Sequence, residues 1–179
     1  MIYGARQLAG SFRAVRKNTL IIAEEIPAEQ YSFRPTPDVR SVGGLLSHIA
    51  VNTRWATLTH GGDARASFIS FEAFGAAVAR MAEEERALEA RSKPEIVESL
   101  RAEGEAFAML LEGLDDAVLA EMVGFPPPVT PSSKTRLEML LSVKEHEMHH
   151  RAQLMLIERM LGIVPHLTRQ RQAMAASRA

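Results

Sequence analysis

Two histidines stand in what should be the buried stripe of the last long helix. That stripe reads Met139, Val143, His146, His150, Leu154, Ile157 and Leu161, steps of three and four that keep one helix face toward a core. Imidazoles four residues apart project from adjacent turns of the same face, so both can grip one metal ion from a rigid rod. His48, within an earlier helical segment, offers a third nitrogen. Three neutral imidazoles around a borderline divalent ion leave coordination positions open, which is the arrangement of a catalytic rather than a closed structural site. The competing reading is that these are core histidines satisfied by hydrogen bonds, or surface residues on a helix whose seam lies elsewhere. His149 points about 60° away from His146, on the side opposite to His150, and is left out of the set. His60 and His166 stand alone near helix ends and loops, where an ordinary structural role is expected.

The same stretch, His146-Glu147-Met148-His149-His150, spells the H-E-x-x-H signature of zinc peptidases with Glu147 as general base. Its context is wrong for a peptidase. The extended form of the motif asks for Gly and then His three and six residues after the second histidine, where this chain has Gln153 and Leu156. No acid follows Glu158 to act as a third ligand from a later helix. Glu147 beside a metal is kept as a candidate base. The chain contains no cysteine, which removes disulfides, thiolate ligands and any cysteine nucleophile.

The elements that must position these side chains are helices. Leu8, Phe12, Val15, Thr19, Ile22 and Ile26 predict a first helix from about Ala5 to Glu25, after which Pro27, Pro35 and Pro37 impose a connecting loop. Asp38 or Ser41 can cap a second helix carrying His48 and running to Gly61-Gly62. Trp55, about two turns beyond His48, is expected to fill the core rather than wall a pocket. Ser70 can cap a helix to about Ala90 with Phe74, Val78, Met81 and Leu88 on its apolar side, and the run Glu83-Glu84-Glu85-Arg86 reads as a solvated face. Ser92-Lys93-Pro94-Glu95 opens the next helix with a capping box and an early proline. Asp115 or Asp116 begins a short turn, Phe125 to Pro131 is loop, and Ser132 or Ser133 can cap the last long helix, which stops at Gly162. Met139, Met148, Met155 and Met160 of that helix read as adaptable packing. No strand of period two and no repeat is evident. Four long helices with additional short ones give an all-α, antiparallel four-helix bundle over residues 1–165, with 166–179 a mobile or weakly helical tail.

With 179 residues the chain forms about one domain. Lys and Arg number 21 against 22 for Asp and Glu, so the net charge of −1 offers no basic field for nucleic acid. No apolar run approaches the roughly 18–20 residues that span a bilayer, and Met1-Ile2-Tyr3-Gly4 is not the start of a signal peptide, so a soluble cytoplasmic protein without membrane partners is expected.

Three segments then carry a resemblance: Phe33-Arg34-Pro35-Thr36-Pro37-Asp38-Val39-Arg40-Ser41-Val42, the segment Leu46-Ser47-His48-Ile49, and Glu145 to Leu154 with Gly162-Ile163 after it. Together, in order from about Leu8 to Pro165, they resemble the DinB/YfiT-like family of metal-binding four-helix bundles. The resemblance implies one histidine ligand from the second helix and two from an H-x-x-x-H-R-x-Q motif, which fall on His48, His146 and His150, the set already chosen from spacing. Ala152 stands where many relatives carry Gly. A divalent metal, nickel or zinc first and iron second, is implied, together with a low-molecular-weight thiol such as bacillithiol or mycothiol as co-substrate and a homodimer formed by helix packing. Arg34, Arg40 and Arg151 could steer an anionic thiol or simply be solvated. The expected function is therefore transfer of such a thiol to a small-molecule electrophile, or thiol-dependent isomerisation. A metal-hydroxide hydrolase with Glu147 as base and a non-catalytic metal-binding module are the alternatives.

Overall fold

The computed structural model describes residues 3–63 and 65–177. Among them the helices are α1 (Ala5–Glu25), α2 (Val42–His60), α3 (Phe71–Glu89), α4 (Lys93–Gly113), α5 (Asp116–Ala120), α6 (Arg136–Met160) and α7 (His166–Ala176), with one 3-10 turn at Ala28–Gln30. A short antiparallel pair, β1 (Met122–Gly124) and β2 (Ser133–Thr135), places Val123 opposite Lys134 ahead of α6. The fold is an all-α bundle. Among the described residues no helix is long and apolar enough to cross a membrane.

Helix starts follow their caps. Ser41, not Asp38, accepts the Gly44 N–H at 2.9 Å and opens α2, Ser70 accepts from Ala73 at 3.0 Å, and Ser92 with Glu95 forms the capping box of α4. The last long helix starts later than Ser132 or Ser133. Ser133–Thr135 is extended because it pairs with β1, and Thr135 with Glu138 completes a reciprocal cap that the two serines cannot. Strands of three residues are too short to show alternation, which is why none is evident in the sequence. Gly162 ends α6 with φ of 78°, a left-handed conformation that favours glycine.

Both α1 and α2 pack against α4 and α6, so α1 lies across the bundle from α2, while α3 leans on α2 from outside. The helix expected from Ser70 to about Ala90 is thus α3, and it lies outside the four-helix bundle made by α1, α2, α4 and α6. Its stripe is largely uncovered: Phe71, Phe74 and Val78 are 56%, 60% and 46% exposed, and Glu85 is its one buried residue.

The core divides into two apolar clusters, one around Ile22, Leu46, Ile49, Leu100 and Leu154 and one around Leu8, Phe12, Phe107, Leu111 and Leu140. α1, α2 and α6 each contribute one side chain to a polar layer that falls, along their sequences, between the two, and α4 contributes a backbone carbonyl at its edge. Arg16 of α1 bonds both carboxylate oxygens of Glu147 of α6 at 2.9–3.1 Å, the Thr53 hydroxyl of α2 at 2.8 Å, and the Leu100 carbonyl of α4. Gly104 of α4 makes room, since a Cβ there would lie 2.5 Å from the Arg16 guanidinium. At the far end of the chain α7 is held by His166 Nε2 at 3.0 Å from Asn18 Oδ1 and by an Arg169–Glu25 ion pair. Met1, Ile2 and the last two positions of the expected tail lie outside the described residues.

Candidate metal centre

α2 and α6 run side by side, and this contact brings the three chosen histidines together. The ring centroids of His48, His146 and His150 form a triangle with sides of 4.9, 4.8 and 4.5 Å. One ligand nitrogen from each lies within 4.8 Å of the others, and no further group of three or more His, Cys, Asp or Glu side chains of this kind exists among the described residues. His48 Nε2 and His146 Nε2 are 2.8 Å apart.

Two of the rings are oriented from behind. The Glu85 carboxylate of α3 lies 2.7 Å from His48 Nδ1, and its other oxygen accepts from Arg40 at 2.8 Å. Gln153 Oε1, one turn beyond its partner, lies 2.7 Å from His150 Nδ1. An acceptor on Nδ1 places the proton there and leaves Nε2 with its lone pair, the tautomer a metal ligand needs. Burial, with smaller contributions from the neighbouring imidazoles and Arg40, pushes His146 down to about 4, and burial likewise lowers His150 against the opposing pull of Gln153. His146 therefore stays neutral through the ordinary pH range. Three imidazole nitrogens with two set by outer partners suit a borderline divalent ion, and the residues fit such a group.

Glu147 does not join them. Its carboxylate, the candidate base, is 2% exposed and bonded to Arg16 in the polar layer, because one residue along α6 turns the side chain about 100°, into the bundle. His149 stays outside the group. His60 is buried and accepts from Arg136 at 2.9 Å, where burial and the adjacent guanidinium push it down to about 4. Arg34 is tied to Glu89 and to the Val39 carbonyl, and Arg151 has a buried Nε without a partner among the described residues.

Glu85 is the residue that sequence reading missed. It sits in the charge run taken for a solvated face, yet Phe74, Val78, Met81, Glu85 and Leu88 continue one stripe at steps of four and three. An acid inside an apolar stripe was the available signal, the same one that exposed His146 and His150.

Two clefts open at the trio. His146 lines a groove of about 610 Å³ between α2, α3 and α6, and His150 lines a smaller one of about 360 Å³ that includes Arg40, Leu45, Gln153 and Leu156. Trp55 belongs to neither apolar cluster. It walls the larger groove, with the Arg80 guanidinium 5.5 Å from its ring centroid, so the expectation that it fills the core is corrected.

The family model of the DinB superfamily matches residues 11–154. The chain belongs to the DinB superfamily. A crystal structure of a DinB-like protein, YjoA of Bacillus subtilis, superposes with a TM-score of 0.63 at 19% identity, covering 87% of this chain and 92% of that one. At that identity the likeness to YjoA speaks for the fold. No curated protein matches. The DinB match spans α2 and most of α6, and thus all three histidines.

Proposed function

We propose that this DinB-superfamily chain is a divalent-metal-dependent enzyme that joins a low-molecular-weight thiol to an electrophilic small molecule. The observation that carries the reading is the convergence of His48, His146 and His150 with Nδ1 of two of them already engaged by Glu85 and Gln153. Those three residues would hold the metal, for which the family resemblance implies nickel or zinc, while an all-imidazole donor set also accepts iron and copper. When bound, such an ion lowers the pKa of a thiol from about 8.5 to well below neutrality and so supplies a nucleophile at ordinary pH.

The chain's own residues do the rest. With no cysteine of its own, the protein must take the sulfur from a co-substrate. Arg40, at the rim of the His150 cleft and 46% exposed in its side chain, offers a cation to the anionic groups of that thiol. The thiol loses its proton to solvent, its sulfur forms a bond to the electrophilic carbon, and the leaving group departs with the bonding electron pair. A hydrolytic reading is weaker, because Glu147, the base it would use, is already paired with Arg16.

Metal-loaded protein should conjugate monochlorobimane, releasing chloride, only when a low-molecular-weight thiol is supplied. His146→Ala should abolish the gain, and elemental analysis of His150→Ala should show metal lost. Equal rates with and without metal across a panel of thiols would overturn the proposal, and so would ester turnover in the absence of any thiol.

A further inference from the structure

The two histidines of α6 open onto different clefts, and the clefts differ in chemistry. Around the His150 cleft stand Arg40 and Gln153. The larger groove on the His146 side has no Lys, Arg, Asp or Glu in its lining; its walls are Trp55, Phe74, Val78, Met81, Met139 and Val143. Its volume of about 610 Å³ falls within the range of small-ligand sites, and a charged guest would lose hydration there without gaining a counter-charge from any side chain of the lining. One wall is unusual for a folded chain: Phe74 and Val78 are left 60% and 46% exposed on a helix that only leans on the bundle.

We propose that the groove between α2, α3 and α6 is the subsite for the electrophile, and that it selects an uncharged, apolar or aromatic molecule. The inference rests on the thiol-transfer reading for the word electrophile, and on the groove alone for the class of molecule. The guest enters on the His146 side while the anionic thiol occupies the His150 side, so the two reactants approach the trio from separate mouths. A single small molecule is the occupant favoured over a second copy of the chain, because the surface is concave and ends at a member of the trio.

Trp55 is the chain's sole tryptophan, which gives a binding readout independent of metal and of turnover. Uncharged phenylnaphthylamine should quench Trp55 by energy transfer, and its sulfonated analogue, anilinonaphthalene sulfonate, should bind roughly tenfold or more weakly. Val78→Asp and Phe74→Asp both alter exposed positions, and each should weaken the uncharged probe by a similar factor with an unchanged melting temperature. Met109→Asp, 62% exposed and outside the groove, should change nothing. Equal binding of the two probes, or equal effects of Val78→Asp and Met109→Asp, would overturn the proposal. So would a wild-type dimer that excludes the probe and becomes a monomer in Val78→Asp, which would make the groove an interface between copies. In the conjugation assay Val78→Asp should raise KM for monochlorobimane and leave KM for the thiol alone. Probe binding without any conjugation would remove the thiol-transfer reading and keep the groove; conjugation with KM unmoved in Val78→Asp would do the reverse.

Discussion

Glu85 is the last of three consecutive glutamates in the sequence and a buried carboxylate in the fold. Its value lies in holding His48 Nδ1–H at 2.7 Å, which fixes both the tautomer and the angle of the ring. Glu85→Ala should weaken metal binding by about 10–100-fold in competition with a chelator, and Glu85→Gln should recover part of the loss, because an amide oxygen still accepts but carries no charge. Gln153→Ala should act in the same direction through His150. If Glu85→Ala held metal as tightly as the wild type, the carboxylate would be a mere partner of Arg40. The three imidazoles were legible because a histidine in an apolar stripe needs a reason. Glu85 was harder to see because it follows two other glutamates, Glu83 exposed and Glu84 half-buried against Arg54, and only its place in the stripe through Phe74, Val78, Met81 and Leu88 separates it from them.

At the scale of helices, α6 explains why His146 and Glu147, adjacent in sequence, meet different partners. A helix in the corner of a bundle has two neighbours and so a wide buried arc, and α6 packs on α2 with one part of that arc and on α1 with another. His146 and His150 fall on the first part; Glu147, about 100° around, falls on the second and meets Arg16. The spacing of a motif tells which residues share a helix, while the partner helix decides what each one does. Helix boundaries were legible wherever a cap residue and an apolar stripe agree, as at Ser41, Ser70 and Ser92. At Ser132 and Ser133 two plausible caps preceded the real one, and what moved the start was pairing with β1, the short strand just upstream. Glu147→Ala should destabilise the fold by about 3–5 kcal/mol in urea unfolding, since it strands a buried guanidinium. Replacing both partners, Arg16→Met with Glu147→Leu, should recover most of that loss. Metal stoichiometry of the folded fraction should be unchanged in both proteins. A catalytic base would behave the other way, losing turnover while the midpoint stayed put.

For the whole molecule, pH acts through two buried sets with opposite signs. Burial, with Glu25 nearby, raises the Glu158 carboxyl from 4.5 to about 7, against the smaller pull of Arg169 and Arg159. Glu158 is fully buried near the end of α6, and neither of its carboxylate oxygens has a partner among the described residues. The folded state therefore holds a proton that the unfolded chain releases, so the stability tied to Glu158 is present below about pH 4.5 and is lost as pH rises through about 7. His60 and His146 work the other way in metal-free protein. Each is held down to about 4 from 6.5, so unfolding takes up protons between those values and stability falls as the solution is acidified. Between pH 4.5 and 6.5 the two histidines outweigh the one carboxyl, and the metal-free wild type should lose stability on the way down. Only the carboxyl changes between 6.5 and about 7. Glu158→Gln isolates that contribution: its advantage over the wild type should be near its minimum at pH 4.5 and grow to a plateau on the order of 2–3 kcal/mol above pH 7. Urea unfolding of the two metal-free proteins at a series of pH values measures the difference directly. A difference that did not vary with pH would mean that Glu158 titrates alike in the folded and unfolded chains, and the junction of α1, α6 and α7 would then owe nothing to a buried proton.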